Sequence, residues 1–561
     1  MLDKVSLLVG GKAGEGVRST GYIIGRILNR HGLNVFIRDD YQSLIQGGHN
    51  FSQIRASSKE TWSHYERVDL IAALDQKTVD LHEKELVSNG CVLYDSEEVT
   101  YSGPSKALSI PLLKMVEEIK GLKIMRNSAL IGVVAYLYGL DLTKVNAVLT
   151  KIYREKAPKN LALAKKGYEY AEKNFDRIGE IKRIDRSPRP LLTGNQAIAL
   201  GAVKAGLNVY VAYPMTPSTS ILHYLAGHQD ELGLTVVQPE NEIAVIIMAL
   251  GASYAGARSM VASSGGGFAL MQEAISMSGM TEVPVVIVEC QRGGPSTGVA
   301  TYTSQADLKF VVNAGHGDFP KVVVAPGDTE EAFYKTAEAL NLAWKYQIPV
   351  IVLSDKHLSE SYKTTSINES NVSKEKVKMA NGGSGYKRYD LTEDGISPLA
   401  FPGTLGTVIK VNSYEHDPNG YAIDEPELIN KMQEKRLRKY AQIVADLRSR
   451  ETVKIYGEKD ADNLVVSWGS AKGAVLEAMK LLKRKFKFLH VIYLKPFPVW
   501  EVEKHLDKAK NVISVECNST GQFASLLREE TGFLVNKKIL KYDSRPFDPE
   551  DLANRIERVL E

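Results

Sequence analysis

The chain has 561 residues, of which 44% are hydrophobic and 24% charged, and its formal net charge is +3. That length predicts several domains, roughly three or four. The balanced charge does not point to nucleic acid, and no apolar run reaches the ~18 residues that would span a bilayer.

The N-terminus, "MLDKVSLLVGG", carries charges early and lacks a small-residue cleavage site, so no signal peptide is read. "VSLLVGG" is a short buried strand. A glycine turn follows, then the helical pattern "VRSTGYIIGRILNRHG". Gly10, Gly11, Gly14 and Gly16 are placed between strand and helix, where backbone N–H groups can approach a phosphate. A tight turn without a ligand explains the pattern equally well. No Walker lysine follows. A dinucleotide reading would add Asp39 or Asp40 as the ribose ligand, with irregular glycine spacing. In "YQSLIQGGHNFSQIR" (41–55), His49 reads as a packed or surface histidine. This first block, 1–183, and the next, 190–359, alternate strands with helices, the α/β signature.

The second block contains five strand candidates: "LNVYVAYP", "SMVASS", "VPVVIVECQR", "KVVVAP" and "IPVIVLSD". In "VAYPMTPSTS", Thr216 is predicted as an N-cap with Pro217 at the first helical position. A rigid helix start carrying a hydroxyl is also a seat for a carboxylate. "QPENEIAVIIMALGASYAGA" places Glu240 and Glu242 at the head of an apolar helix. Dipole pairing explains an acid there, but a buried Glu242 needs a partner. "VASSGGGFALMQEA" reads as strand, glycine turn and helix, with Gly265, Gly266 and Gly267 admitting a ligand, another chain or tight packing. Arg292 ends a strand, where open α/β sheets bind ligands, and can grip a carboxylate bidentately or form a surface salt bridge.

Residues 360–455 are expected to form a linker, "SYKTTSINESNVSKEKVKMANGGSGYKRYD", and then a charged amphipathic helix over 425–450 whose charges face solvent. Residues 456–561 form a last α/β block. Cys91, Cys290 and Cys517 are scattered, which fits a reducing cytoplasm and small buried side chains rather than disulfides. Three cysteines cannot hold a four-cysteine iron–sulfur cluster. No metal-ligand motif is present.

"YPMTPST", "ENEIAVIIMALGASYAGAR", "SSGGGFALMQEA" and "QRGGPSTGVATYTSQADL" together resemble the alpha subunit of 2-oxoacid:ferredoxin oxidoreductases. "GGKAGEGV" and "SLIQGGHNFSQIR" resemble the gamma domain often fused ahead of alpha. "SVECNSTGQFASLLREETG" and "KYDSRPF" resemble its C-terminal transketolase-type domain. The resemblance spans nearly the whole chain in the expected order. It implies a gamma-type α/β domain, a thiamine-diphosphate pyrimidine-type domain and a transketolase-like α/β domain. It implies oxidative decarboxylation of a 2-oxoacid with coenzyme A, giving acyl-CoA and CO2, with electrons passing to ferredoxin.

By the same resemblance, Glu242 bonds N1′ of the aminopyrimidine and favours the tautomer that generates the ylid. Tyr213, Pro214, Gly265 and Gly266 lie against the cofactor. Thr216 and Arg292 grip the substrate carboxylate, and Thr301 shapes the pocket. Gly11, Gly14 and Gly16 become a candidate turn for coenzyme A. Met215 stands where the family often has Ile, and Gly266 where it often has Pro. No Gly-Asp-Gly segment occurs, so the diphosphate and its Mg²⁺ are expected on a beta subunit that also carries a 4Fe-4S cluster. An αβ heterodimer or its dimer follows, with neither membrane nor nucleic acid as partner. The oxoacid is not named by the sequence; 2-oxoglutarate or a broad range is favoured. Two other readings stay open: an NAD-dependent dehydrogenase using Gly11, Gly14, Gly16 and Asp39, and a non-catalytic scaffold that binds coenzyme A.

Overall fold

The computed structural model describes residues 1–42, 48–182 and 184–561. Residues 43–47 of the glycine-containing segment, and the expected domain end at residue 183, lie outside the described residues. Two compact units are present. One comprises 1–192 with 361–366 and 548–551; the other comprises 193–360, 367–547 and 552–561.

In the first unit the sheet runs in the order Lys106–Ile110, Leu86–Asp95, Val68–Ala73, Lys4–Lys12, His49–Ser57, Asn34–Asp40 and Tyr362–Thr364. Helix Val17–Arg30 covers it with Val17, Ile23, Ile24, Ile27 and Leu28. Helices Arg126–Leu137 and Ala157–Asn174 pack in close backbone contact. A Cβ at Gly132 would strike the backbone of Ala164, and one at Gly167 the backbone of Ala129.

Two expectations change here. Gly10 and Gly11 belong to the first strand, in register with Phe51 and Asn50, because His49–Ser57 pairs along its full length. Only Gly14 (φ 90°) and Gly16 (φ 79°) make the turn, in the left-handed region that glycine tolerates. The dinucleotide topology also fails. His49–Ser57, antiparallel, separates the first strand from Asn34–Asp40, so Asp39 does not lie on the neighbouring strand. Asp39 instead accepts from Arg18 Nε at 3.2 Å.

The second unit is built on two sheets. The larger runs Tyr493–Lys495, Val322–Val324, Pro349–Asp355, Val285–Gln291, Ser259–Ser263, Val209–Val211 and Thr235–Val237. All five expected strands are there. Thr235–Val237, a three-residue edge strand that is partly exposed rather than buried, was not expected. The smaller sheet runs Val453–Gly457, Phe486–Val491, Asn463–Trp468, Asn511–Glu516 and Lys537–Leu540. Buried valines and isoleucines fill the interior strands, as expected where both faces are covered.

The two sheets are joined by charge as well as by apolar packing. Glu331 accepts from His490 Nε2 at 3.0 Å and meets Lys472 and Lys454. Burial pushes the Glu331 carboxyl up, but the Lys472 ammonium, with the His490 hydrogen bond and Lys454, overcomes this and holds it well below the usual range.

The central segment is not a free linker. Tyr362–Thr364 pairs with Asn34–Asp40. Arg388 and Tyr389 are buried, with Arg388 donating to Gln347 Oε1 at 2.9 Å and to the Glu282 carbonyl at 2.6 Å. The long helix, Pro426–Leu447, also departs from expectation. Its Lys435, Arg436 and Lys439 are buried rather than solvated. Glu282 supplies the reason: its carboxylate takes Lys435 Nζ at 2.7 and 2.8 Å and also meets Lys439. A buried charge needs such a partner, and the partner lies 153 positions away in sequence, where no local pattern reveals it.

Candidate functional site

The site forms at the C-terminal ends of the larger sheet's strands, the usual ligand crevice of an open parallel sheet. Thr193 caps helix Gly194–Lys204 in a capping box with Gln196. From its first turn, Asn195 donates Nδ2 to the Pro217 carbonyl and to Ser220 Oγ, each at 2.8 Å. This fixes the "YPMTPST" loop, whose Thr216–Pro217 peptide is cis.

Thr216 is not an N-cap. Ser218 Oγ donates to the Met215 carbonyl at 2.7 Å, and the Thr219 amide donates to the same carbonyl at 3.2 Å. That turn delays the helix to Thr219–Leu232, so Pro217 is not helical. Thr216 is left half-buried in the loop. Its carbonyl accepts from Arg292 Nη1 at 2.9 Å. Tyr213 and Pro214 are exposed beside it.

Helix Glu242–Tyr254 begins at Glu242, with Asn241 Oδ1 accepting from the Ala244 amide at 3.0 Å; Glu240 stays outside. Glu242 is 3% exposed, and Ser263 Oγ donates to its Oε1 at 3.2 Å. Among the described residues this is its only side-chain hydrogen bond. Gly265, Gly266 and Gly267 form the first turn of helix Gly265–Leu270 rather than a loop. A Cβ at Gly267 would collide with the Glu242 carboxylate and Ser263 Oγ, whereas Gly266 faces open space.

Opposite this cradle, the outward face of helix Glu242–Tyr254 is apolar. Ile243, Ile247 and Met248 are 51%, 41% and 47% exposed, and Leu270 is 50% exposed. Ile243, Ile247 and Met248 follow helical spacing and form one stripe, whereas Leu270 ends the separate helix Gly265–Leu270.

Arg292 extends just past strand Val285–Gln291. Among the described residues, no carboxylate lies within ion-pairing distance of it. Burial lowers its pKa, opposed by the nearby Glu289. The following loop closes on itself, with the Val299 amide donating to the Gly293 carbonyl at 2.7 Å. Thr301 is buried in that loop. Gln305 anchors its end to the smaller sheet, donating Nε2 to the Trp468 carbonyl at 3.1 Å.

The geometry therefore links Glu242, Ser263, Met215, Thr216 and Arg292 by contact, Ser263 Oγ lying 3.6 Å from Met215 Sδ. Thr301 has no side-chain hydrogen bond to any of them. Sequence reasoning missed Asn195, Ser263 and Glu289. Ser263 was visible in principle, because strand alternation puts it on the same face as Val261.

An open carboxylate edge in a buried cradle that excludes even a methyl group at Gly267 suits a planar nitrogen heterocycle. The residues thus fit the aminopyrimidine of thiamine diphosphate. In the first unit, a cavity of about 670 Å³ opens beside Gly16, with Leu122, Ile124, Lys120, Lys156 and Lys159 in its wall. Gly14 faces open space, and Gly11 lies in the strand. Among the described residues, no three His, Cys, Asp or Glu side chains gather to hold a metal ion, and no helix is long and apolar enough to cross a membrane.

Three families match in chain order. Residues 6–170 match pyruvate ferredoxin/flavodoxin oxidoreductase. Residues 200–435 match the thiamine-diphosphate-binding part of pyruvate flavodoxin/ferredoxin oxidoreductase, and 461–546 match core domain II of pyruvate:ferredoxin oxidoreductase. With the α/β folds and the buried acid, they define an oxidoreductase chain built on a thiamine-diphosphate-binding domain.

Among its relatives is a 2-oxoacid:ferredoxin oxidoreductase subunit alpha from a Sulfolobus species, 32% identical over 99% of this chain and 97% of the relative. The 2-oxoglutarate oxidoreductase subunit KorA of Mycobacterium tuberculosis is 28% identical over 100% of this chain and 92% of its own length. A solved 2-oxoglutarate:ferredoxin oxidoreductase from Magnetococcus marinus, with 2-oxoglutarate, coenzyme A and succinyl-CoA bound, superposes with a TM-score of 0.92. It is 31% identical, with both chains fully covered. The chain belongs to the family of 2-oxoacid:ferredoxin oxidoreductase alpha subunits.

Proposed function

We propose that this chain, with a beta subunit, oxidatively decarboxylates a 2-oxoacid, 2-oxoglutarate favoured, forming acyl-CoA and CO2 and passing electrons to ferredoxin. The observation that carries the reading is the buried Glu242, whose carboxylate has one hydrogen-bond partner in a cradle without room for a methyl group.

Thiamine diphosphate, when bound, supplies the electron sink for loss of CO2. Glu242 holds a proton-bearing contact to the aminopyrimidine, and Ser263 orients that carboxylate. Gly267 lets the helix approach closely. Tyr213, Pro214, Gly265 and Gly266 border the ring's seat. Arg292 and Thr216 bind the substrate carboxylate, the guanidinium being fixed by the Thr216 carbonyl so that its remaining donors face the ligand. Thr301 borders the side-chain end of the substrate.

The beta subunit would carry the diphosphate grip, Mg²⁺ and a 4Fe-4S cluster, in an αβ heterodimer or a pair of them. The absence of a Gly-Asp-Gly segment and the exposed apolar residues Ile243, Ile247, Met248 and Leu270 support a partner here. Coenzyme A would use the first unit's cavity at Gly16, beyond the turn that Gly14 begins, where Lys120, Lys156 and Lys159 can meet its phosphates. The setting is cytoplasmic, in keeping with three buried free cysteines.

The test is the assembled complex with Glu242→Ala. Oxoacid-dependent reduction of a dye acceptor should be lost, and the ultraviolet circular-dichroism signal of bound thiamine diphosphate should change. Wild-type rates and signal in that variant would remove the assignment. A panel of pyruvate, 2-oxobutyrate and 2-oxoglutarate reads the substrate preference.

A further inference from the structure

Strand pairing places a second acid beneath the site. Ser263, which orients Glu242, is in register with Glu289 on the next strand, and Glu289 with Leu353 on the strand beyond. Paired residues in a parallel sheet project to the same face, as do residues two apart. Glu289 therefore shares the face that carries Ser263, Gln291 and Asp355. Its neighbours there are satisfied. Gln291 donates to the Ser354 carbonyl at 3.0 Å and accepts from the Asp307 amide at 3.0 Å. Asp355 accepts from Thr303 Oγ1 at 3.2 Å and from the Leu358 amide at 3.1 Å. Glu289 differs: it is fully buried, and neither carboxyl oxygen has a hydrogen-bond partner. Nearby, Arg292 Nε is also buried without one.

An ionised carboxylate in that position would lack hydrogen bonds and face two further acids, Asp307 and Asp355. Arg292 is the one cation acting on it. Burial comes first, and then these acids, in raising the Glu289 carboxyl well above its ordinary range. No ion pair to Arg292 offsets the cost.

We infer that Glu289 is a positioning residue held as the neutral acid, which leaves the charge of Arg292 free for the substrate carboxylate. On ionisation, Glu289 loses its proton to solvent, and the resulting carboxylate pairs with Arg292 and competes with the substrate. The sheet thus places beneath the anion grip a group that weakens it only when charged. The inference rests on the proposed role of Arg292.

The experiment uses the αβ complex and measures KM and kcat for the 2-oxoacid against pH. In the wild type, KM should climb on the alkaline side by about tenfold per pH unit beyond the ionisation of Glu289, with kcat moving less. Glu289→Gln, which has the same shape and no proton to lose, should abolish that climb. Glu289→Ala, which leaves a hole beneath Arg292, should raise KM at every pH, and the Gln variant should recover most of that loss. A second readout is independent of turnover. Infrared spectra of the full chain with ¹³C-labelled glutamate should show an isotope-shifted protonated carboxylic-acid band at neutral pH that Glu289→Gln removes. An alkaline climb that persists in the Gln variant, or absence of the band, overturns the inference. If Arg292→Ala leaves KM unchanged, the substrate-site reading falls too; if Arg292 matters but the Gln variant behaves like the Ala variant, only the role of Glu289 falls.

Discussion

Arg292 Nη1 donates to the main-chain carbonyl of Thr216 at 2.9 Å, joining a strand end to a proline-bracketed loop 76 positions earlier. Neither residue's role is defined by its own neighbourhood in the sequence. The contact orients a guanidinium that has no carboxylate partner among the described residues.

On the role proposed for it, replacing Arg292 is expected to affect substrate capture more than stability. Arg292→Ala is expected to raise the KM for the 2-oxoacid by ~30-fold or more, the cost of at least ~2 kcal/mol for removing one side of a charge-assisted pair. Arg292→Lys should recover only part of this, since an ammonium cannot hold the Thr216 carbonyl and a carboxylate with one planar fork. Steady-state kinetics on the assembled complex, with thermal melts alongside, separate the two effects.

Gly267 offers a sharper test of the cradle. A methyl group there collides with Glu242 and Ser263. Gly267→Ala should displace the carboxylate at a cost of ~1–3 kcal/mol, roughly a 5- to 150-fold loss in activity or in thiamine diphosphate affinity. Gly227, on helix Thr219–Leu232 and open to solvent, is the control: Gly227→Ala should be neutral or mildly stabilising. Equal effects from the two substitutions would remove the packing argument.

The order of strands and helices was legible because buried parallel strands are written as short valine and isoleucine runs, as in "VPVVIVECQR" and "IPVIVLSD". The placement of Arg292 at a strand end and of Glu242 at a helix head was legible from position, while the roles given to them came from the family resemblance. Less visible was anything decided by a distant partner. The long helix looked solvated because its lysines and arginines alternate with acids and apolar residues in the manner of an exposed amphipathic face; Glu282, which buries Lys435 and Lys439, lies 153 positions upstream of Lys435. Thr216 looked like a cap because the Met215 carbonyl, which takes up Ser218 and Thr219, leaves no trace in residue type. Glu289 appeared only as one letter of an apolar strand. Its importance comes from what its neighbours bond to.

Glu282 gives a stability prediction with a clear sign. Its carboxylate is shared by Lys435 and Lys439, all three buried. Burial pushes the Lys439 amine down to about 7, and Glu282 is what opposes that fall. Glu282→Ala leaves two buried ammonium groups without a counter-charge. The expected loss is about 3–5 kcal/mol, read as a lower midpoint in urea or a lower Tm. Glu282→Ala combined with Lys435→Met and Lys439→Met should recover much of that loss, since removing the whole cluster also removes the desolvation cost.

Acid titration probes the neighbouring anchor of the same helix. Burial pushes the Asp446 carboxyl up, but hydrogen bonds from Arg450 at 3.1 Å, Lys345 at 2.8 Å and Tyr346 at 2.8 Å bring it down to about 2. The folded chain therefore binds this proton more weakly than the unfolded chain. The stabilisation is fully present above about pH 4, the unfolded value, and is lost as pH falls through about 2. Its size is about 2 kcal/mol. Urea midpoints measured from pH 5 down to pH 2 should fall, and Asp446→Asn should fall less steeply over that window while starting lower. A parallel decline in both proteins would show that the acid sensitivity lies elsewhere.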